Sequence, residues 1–476
     1  MNILIKNFGP IKEFETTLNE DLILIVGKNN IGKSYAISAI YLLLKNFSIK
    51  NKYRHSFFFH DIVFEKSADF QKKYKDQILE LEAKLNTKDQ IEIGEIFSGF
   101  VSNYLRNLIG EELKNSMNGT FGDLSLLERV GEEKPFFSIK NNDMEFSFNI
   151  VGGNLTNYKV EFSNRLLLKK VKRRLRDKPN SDGSTTLYFY EKMFVDDEGL
   201  KSYINMRTLR MAMSFISSIS NFISDVHYLP ASRSGLYQSL TAFGQIIAEL
   251  AKRRTFISNK IELPSISEPL TDYFLKITEI KNKKNLDNEY CKIAEKIEEQ
   301  ILQGKIDFDS KTKKIFYIKN NGNLKLDLSN TSSMVSEIGP IVAYLKHIIP
   351  VSDKKDNATA KQVIFIEEPE AHLHPEVQSK LMEIFVDLIQ SCNVKIILTS
   401  HSNFILNKLN NLIMSEKLDY RKASGYQFIT SVNGGTIANK LDIDEFGIDD
   451  TNFVDIATEL YEEKLNLFDQ KMQSGE

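Results

Sequence analysis

Eight consecutive residues, Gly27-Lys28-Asn29-Asn30-Ile31-Gly32-Lys33-Ser34, satisfy the pattern G-x-x-x-x-G-K-[ST] in full. The glycines let the backbone wrap a phosphate, so that successive N–H groups and the N-terminus of a following helix face negative charge. In that setting Lys33 reaches the β- and γ-phosphates and the Ser34 hydroxyl holds Mg²⁺. Gly27, Asn29, Asn30, Gly32, Lys33 and Ser34 are the expected nucleotide-binding set, with ATP and Mg²⁺ as the expected cofactors.

A second set ends an apolar run, Val363-Ile364-Phe365-Ile366, that leads directly into Glu367-Glu368. Carboxylates at the C-terminal end of a parallel strand stand where α/β sheets bind ligands. Glu367 is expected to support the Mg²⁺ shell and Glu368 to polarise an attacking water. Phosphoryl transfer asks such groups for positioning and charge neutralisation rather than covalent chemistry. One strand further on, Lys395 to Thr399 runs into Ser400-His401, placing a histidine at the same edge. Lys33, Glu368 and His401 are the expected catalytic group. His372-x-His374 resembles a zinc pair, but Pro375 interrupts the helix and no third ligand is close, so no metal is expected there.

These residues need a sheet to hold them. Residues 3–8 and 22–26 read as strands, the second being a continuous apolar run of the kind buried on both faces, and Tyr35 to Leu44 reads as an apolar helix. The last third repeats this syntax: a helix near Ser336 to Ile349, a strand Val363 to Ile366, a helix Pro375 to Gln390 and a strand Val394 to Thr399. Between them the pattern is mixed. Glu65 to Leu85, Leu200 to Ser224, Ile246 to Lys260 and Tyr273 to Leu302 read as helices, while Phe136 to Phe162 and Ile306 to Leu328 alternate like hairpins. The expected fold class is α/β, a P-loop ATPase head with a large α+β insertion that includes helical and short coiled-coil segments. The expected division is 1–50 for the first part of the core, 51–325 for the insertion, 326–440 for the rest of the core and 441–476 for an acidic tail.

Composition narrows the class. With 42% hydrophobic and 26% charged residues the chain is an ordinary globular protein, and 62 basic against 64 acidic side chains exclude a uniformly basic nucleic-acid coat. The two cysteines, Cys291 and Cys392, offer neither a disulfide framework nor a thiolate zinc site, which fits a reducing cytoplasmic location. No leader or membrane span is expected, the longest apolar candidate, Met211 to Ile223, being short and broken by serines.

GKNNIGKS, VIFIEEPEAHLHP and ILTSHS, in this order, resemble the Walker A, Walker B with D-loop, and switch-histidine motifs of ATP-binding-cassette ATPases of the SMC, RecF and OLD branch. The resemblance covers roughly residues 1–45 and 325–440. It implies a signature helix shortly before Walker B, a place occupied by Asn330-Thr331-Ser332-Ser333-Met334-Val335-Ser336-Glu337 without the usual glycines. Such domains dimerise head to tail. Lys33, Ser34, Glu367, Glu368 and His401 would then act in cis, and Ser332, Ser333 or Ser336 would bind nucleotide in trans. Glu367 stands where most relatives carry Asp, a variant that OLD-like members share, and Tyr228-Leu229-Pro230-Ala231-Ser232-Arg233 also resembles an OLD-like segment. The Mg²⁺-sensing glutamine of the family falls on no clear position, with Gln71 and Gln77 as candidates.

Two further features bear on partners. Arg165 to Lys178 packs eight Lys or Arg into fourteen residues, which on a helix makes a cationic face for duplex DNA or a solvated face paired with acidic segments such as the C-terminal tail. It lacks interleaved aromatics, which argues against single-strand binding. Asp442-Ile443-Asp444 spells the metal pair of OLD nucleases, but about seventy-five residues follow His401, too few for a further nuclease domain, and an acidic loop is expected. The resemblance to ATPase subunits of the PARIS and Septu anti-phage systems implies a sensor or scaffold that oligomerises through its heads, responds to a trigger such as a viral protein, and holds a separate nuclease or toxin effector. The rival is a DNA-repair or chromosome-maintenance ATPase of RecF or SMC type on duplex DNA.

Overall fold

The computed structural model describes residues 1–52, 68–190, 192, 199–231, 233–239, 266–280, 288–320, 322, 324–349, 360–431, 434–448 and 456–474. In chain order the first part holds β1 (Asn2–Phe8), β2 (Ile11–Thr17), β3 (Leu22–Gly27), α1 (Lys33–Lys52), α2 (Ala68–Thr87), β4 (Gln90–Glu92) and α3 (Gly94–Phe121). There follow β5 (Phe136–Asn141), β6 (Met144–Val151), β7 (Asn154–Phe162), β8 (Leu166–Val171), β9 (Lys178–Pro179), β10 (Thr185–Tyr190), α4 (Gly199–Phe222) and β11 (Ile223–Leu229). After these come α5 (Glu268–Thr278), α6 (Glu289–Ile297), β12 (Gly304–Asp309), β13 (Lys314–Lys319), β14 (Lys325–Asp327) and α7 (Ser333–Ala343). The chain closes with β15 (Lys361–Glu367), α8 (Pro375–Ser391), β16 (Val394–Ser400), α9 (Asn403–Met414), β17 (Ala423–Thr430), β18 (Thr436–Leu441) and α10 (Ile456–Ser474).

One eleven-stranded sheet, in the order β11-β15-β16-β3-β17-β18-β2-β1-β5-β6-β7, forms the body. Its first five strands are parallel, and their apolar runs are buried on both faces. Alternate residues serve two cores: Leu22, Leu24, Val26, Ile364 and Ile366 face one, and Ile23, Ile25, Val363 and Phe365 the other. Helix α1 is apolar nearly all round because it lies inside the second core, beside Val101 and Leu105 of α3 and Phe215 and Ile219 of α4. A third core joins α2, β4, β8, β10 and the facing ends of α3 and α4 around Phe97, Leu168, Phe189 and Ile204.

Several expectations need correction. The core is not confined to residues 1–50 and 326–440: β5 extends the main sheet by pairing with β1, and β11 pairs with β15 at its other end. Both lie within the expected insertion. Arg165 to Lys178 is not a helix. Leu166 and Leu168 are buried, so residues 166–171 form a strand paired in parallel with β10, and 172–177 continue as exposed irregular chain. Cross-strand burial outweighs helical preference there. Tyr273 to Leu302 is not one helix either, since α5 ends at Thr278 and α6 starts at Glu289 behind an Asn288 cap. The expected helix Ile246 to Lys260 lies outside the described residues. No helix among them is long and apolar enough to cross a membrane.

Candidate active site

The sheet order explains how distant motifs meet. β16 lies between β15 and β3, with Glu367 beside Thr399 and Ser400 beside Val26. The C-terminal ends of the three strands are therefore level, and the phosphate loop, Glu367-Glu368 and His401 leave the sheet at one edge, the ligand edge of such folds. Gly27 at φ +147, Asn30 at φ +61 and Gly32 at φ +91 turn the loop toward the start of α1. At Gly32 a Cβ would stand 2.7 Å from Pro10 Cγ, so both backbone angle and space call for glycine.

Lys33, only 5% exposed, donates to the carbonyls of Gly27 (2.9 Å) and Lys28 (2.8 Å) and lies 3.3 Å from His401 Nδ1. Burial lowers its pKa to about 8, against the opposing pull of Glu368 and Glu370. His401 Nε2 is 3.2 Å from Glu368 Oε1. Both imidazole contacts are satisfied when Nε2 carries the hydrogen, donating to Glu368 while Nδ1 accepts from Lys33. The hydrogen bond from His401 is the largest cause holding the Glu368 carboxyl below its ordinary pKa, so Glu368 is an anionic acceptor.

Glu367 is a different carboxylate. Burial pushes its pKa up, while hydrogen bonds from the Ser34 and Tyr228 hydroxyls and from the Ala231 N–H (3.3 Å) oppose that rise. A buried carboxylate beside the phosphate-loop serine fits a divalent cation, whose charge would offset the desolvation. Ser34 and Glu367 would hold Mg²⁺, which when bound would neutralise charge on the transferred phosphoryl group.

The structure also brings in residues that the motifs did not identify. Glu370 Oε1 accepts from Ser400 Oγ (2.8 Å) and the His401 N–H (2.6 Å), fixing the histidine backbone. Arg233 and Glu337 have fully buried side chains and pair at 3.5 Å. Arg233 also donates to the carbonyls of Pro230 (2.9 Å), Glu337 (3.2 Å), Glu367 (2.8 Å) and Glu368 (3.4 Å). One guanidinium thus ties the end of β11, helix α7 and the acidic end of β15 together. Tyr228, whose hydroxyl is 2.9 Å from Ser38 Oγ of α1, braces the same corner. The segment Tyr228 to Arg233 was visible as a resemblance, but apart from the Arg233–Pro230 bond the contacts named here are remote in sequence.

The three serines expected to bind nucleotide in trans are placed unequally. Ser332 and Ser333 are exposed at the start of α7, whereas Ser336 is buried and donates to the Ser333 carbonyl at 3.0 Å. Gln77 lies on α2, which packs in the third core, and the side chain of Gln71 is outside the described residues. His372 Nδ1 is 3.5 Å from Glu337, and His374 Nδ1 caps α8 by accepting the Glu376 N–H at 3.4 Å. Among the described residues no three His, Cys, Asp or Glu side chains form a metal cluster. Asp442 and Asp444 are exposed, and Asp444 accepts the Phe446 N–H in a two-stranded turn.

A sheet whose parallel strands carry this phosphate loop and acid pair at their C-terminal edge defines a P-loop ATPase. The chain belongs to the AAA ATPase domain family (AAA_15), whose profile matches residues 1–406. Among solved structures it is similar to an SMC head domain from Thermotoga maritima, at 10% identity, TM-score 0.33, covering 93% of this chain and 98% of that one. An SMC head bound to the C-terminal winged-helix domain of ScpA matches at 10% identity and TM-score 0.38, covering 93% of this chain and 98% of that one. The SMC head with an extended coiled coil bound to the C-terminal domain of ScpA, from Pyrococcus furiosus, matches at 10% identity and TM-score 0.35 over 97% of this chain and 98% of that one. No curated protein matches the sequence.

Proposed function

We propose that the chain is the ATP-driven sensor and scaffold subunit of a bacterial anti-phage system, binding and hydrolysing ATP and cutting no nucleic acid itself. Two heads would close on ATP, with Lys33, Ser34, Glu367, Glu368 and His401 acting in cis. The trans role would fall to Ser332 and Ser333, because Ser336 is turned inward. The observation that carries the clamp is this exposure of two hydroxyls at the N-terminus of α7, where backbone N–H groups suit a γ-phosphate. Nucleotide would shift the equilibrium by binding the closed pair better than the open one. A trigger such as a viral protein would bias that equilibrium, and reopening would release or activate a nuclease or toxin held by the heads. Support for the defence setting is the OLD-like dialect of the motifs, including Glu367 and the Tyr228 to Arg233 segment.

Capture of tagged Glu368→Gln chain from cells carrying the native flanking genes tests this reading. A stoichiometric small nuclease or toxin is expected. Recovery of DNA without a protein partner would favour the second reading, a repair or chromosome-maintenance ATPase on duplex DNA, for which the exposed Lys172, Arg173, Arg174 and Arg176 speak.

A further inference from the structure

Outside the ATPase centre, the basic run meets aromatic residues that are distant in sequence. Residues 172–177 leave β8 as exposed chain, and between them, β10 and α4 opens a groove of about 360 Å³. Arg174, Arg176, Arg207 and Arg210 line it together with Tyr188 and Tyr190. The two tyrosines are two apart on one strand and share its half-buried face, while Leu187 and Phe189 point into the third core.

The groove is built rather than merely charged. Its floor is Tyr203, over whose ring the Arg207 guanidinium lies 5.2 Å from the centroid. Arg207 is pinned by a bidentate pair with Asp177, at 2.6 and 2.8 Å. Among the described residues Asp177 is the one carboxylate in the lining, and that pair neutralises it. Arg174, Arg176 and Arg210 are exposed, so their guanidinium groups face solvent at the groove.

We propose that this groove binds single-stranded nucleic acid, with phosphates on Arg174, Arg176 and Arg210 and bases stacked on Tyr188 and Tyr190. Aromatic faces beside cationic side chains are the recurring means of holding unpaired bases. A recess of this volume, at the low end of ligand clefts, accepts a nucleotide unit and not a base-paired duplex. The absence of aromatics within the basic run is thus remedied by the tertiary fold. The proposal stands independently of the effector and of head pairing.

Fluorescence anisotropy with labelled oligo-dT and oligo-rU of about 12 nucleotides, a usual site size, and with a duplex of equal length, tests it on the full chain. Single strands should bind at least about tenfold more tightly than duplex. Arg174→Glu with Arg176→Glu should weaken binding at least about tenfold and reduce the salt slope by about 1.4, the share of two phosphate contacts on a single strand. Tyr190→Ala should weaken binding about tenfold with the salt slope unchanged. Whichever of dT and rU binds better identifies the natural chemistry. Unchanged ATP turnover reports an intact fold in each variant. Tighter binding of duplex, or loss on arginine reversal with none on Tyr188→Ala or Tyr190→Ala, overturns the proposal.

Discussion

Arg233 and Glu337 face each other at 3.5 Å with no side-chain exposure, one at the start of the helical stretch that follows the strand flanking the acidic strand and the other on α7. Burial lowers the arginine pKa, and Glu337 heads the charges that counter this. Any movement of α7 is therefore transmitted to the carbonyls of Glu367 and Glu368, to which the same guanidinium is bonded.

Removing one partner leaves the other charge buried and unpaired, at a cost of about 3–5 kcal/mol. Arg233→Met should lower the thermal midpoint strongly, and Arg233→Met with Glu337→Leu should be less damaging than the sum of the two single changes. Arg233→Lys keeps the charge but loses the fork, so kcat should fall more than ATP affinity. Additive midpoint losses, or an Arg233→Lys protein with wild-type kcat, would contradict this coupling.

Proton linkage follows from the Lys33 environment. Its pKa is near 8 because of burial, and phosphate oxygens at Nζ would raise it again. The free chain then holds fewer protons than the complex above about pH 8, so ATP binding takes up a proton there. Affinity should be flat from about pH 7 to 8 and fall by up to about tenfold per pH unit above it. Calorimetric titration in buffers of different ionisation enthalpy reads the uptake directly, and pH-independent affinity up to about pH 9.5 would refute it.

The phosphate loop itself makes a steric prediction. Gly32→Ala places a methyl 2.7 Å from Pro10 Cγ at a φ of +91, which L-residues other than glycine rarely adopt. Loss of nucleotide binding with near-normal circular dichroism is expected, and wild-type affinity would show that the loop tolerates a different path.

Sharing of sites between chains has a genetic form. A Lys33→Ala chain retains its serines, and a Ser332→Ala, Ser333→Ala chain retains its phosphate loop. Each alone should be inactive, and their mixture should recover turnover through the one complete site of the mixed pair. No recovery at any mixing ratio would remove the trans assignment.

Much of this centre was legible because its parts are local. GKNNIGKS, the run VIFI before Glu367-Glu368, and ILTS before His401 each carry their own strand and turn. Their convergence follows from parallel pairing of adjacent strands. What stayed hidden depends on remote contacts. Arg233 meets Glu337 and Glu367 more than a hundred positions away, and no local pattern marks a buried arginine. Likewise β5 joins β1 across the first helices, so hairpin patterning located the strands without assigning them to the main sheet. The basic run misled because its charges suggested a helix face, while Leu166 and Leu168 were the residues that decided its fold.

In the proposed mechanism ATP closes two of these heads on each other. Glu368→Gln keeps the shape and the His401 contact but lacks the carboxylate proposed to polarise water, so the closed pair should persist. Light scattering of this variant should show a doubled mass, or a multiple of it, with ATP and Mg²⁺ and a smaller species with ADP. The same mass in both, with ATP demonstrably bound, would contradict the clamp.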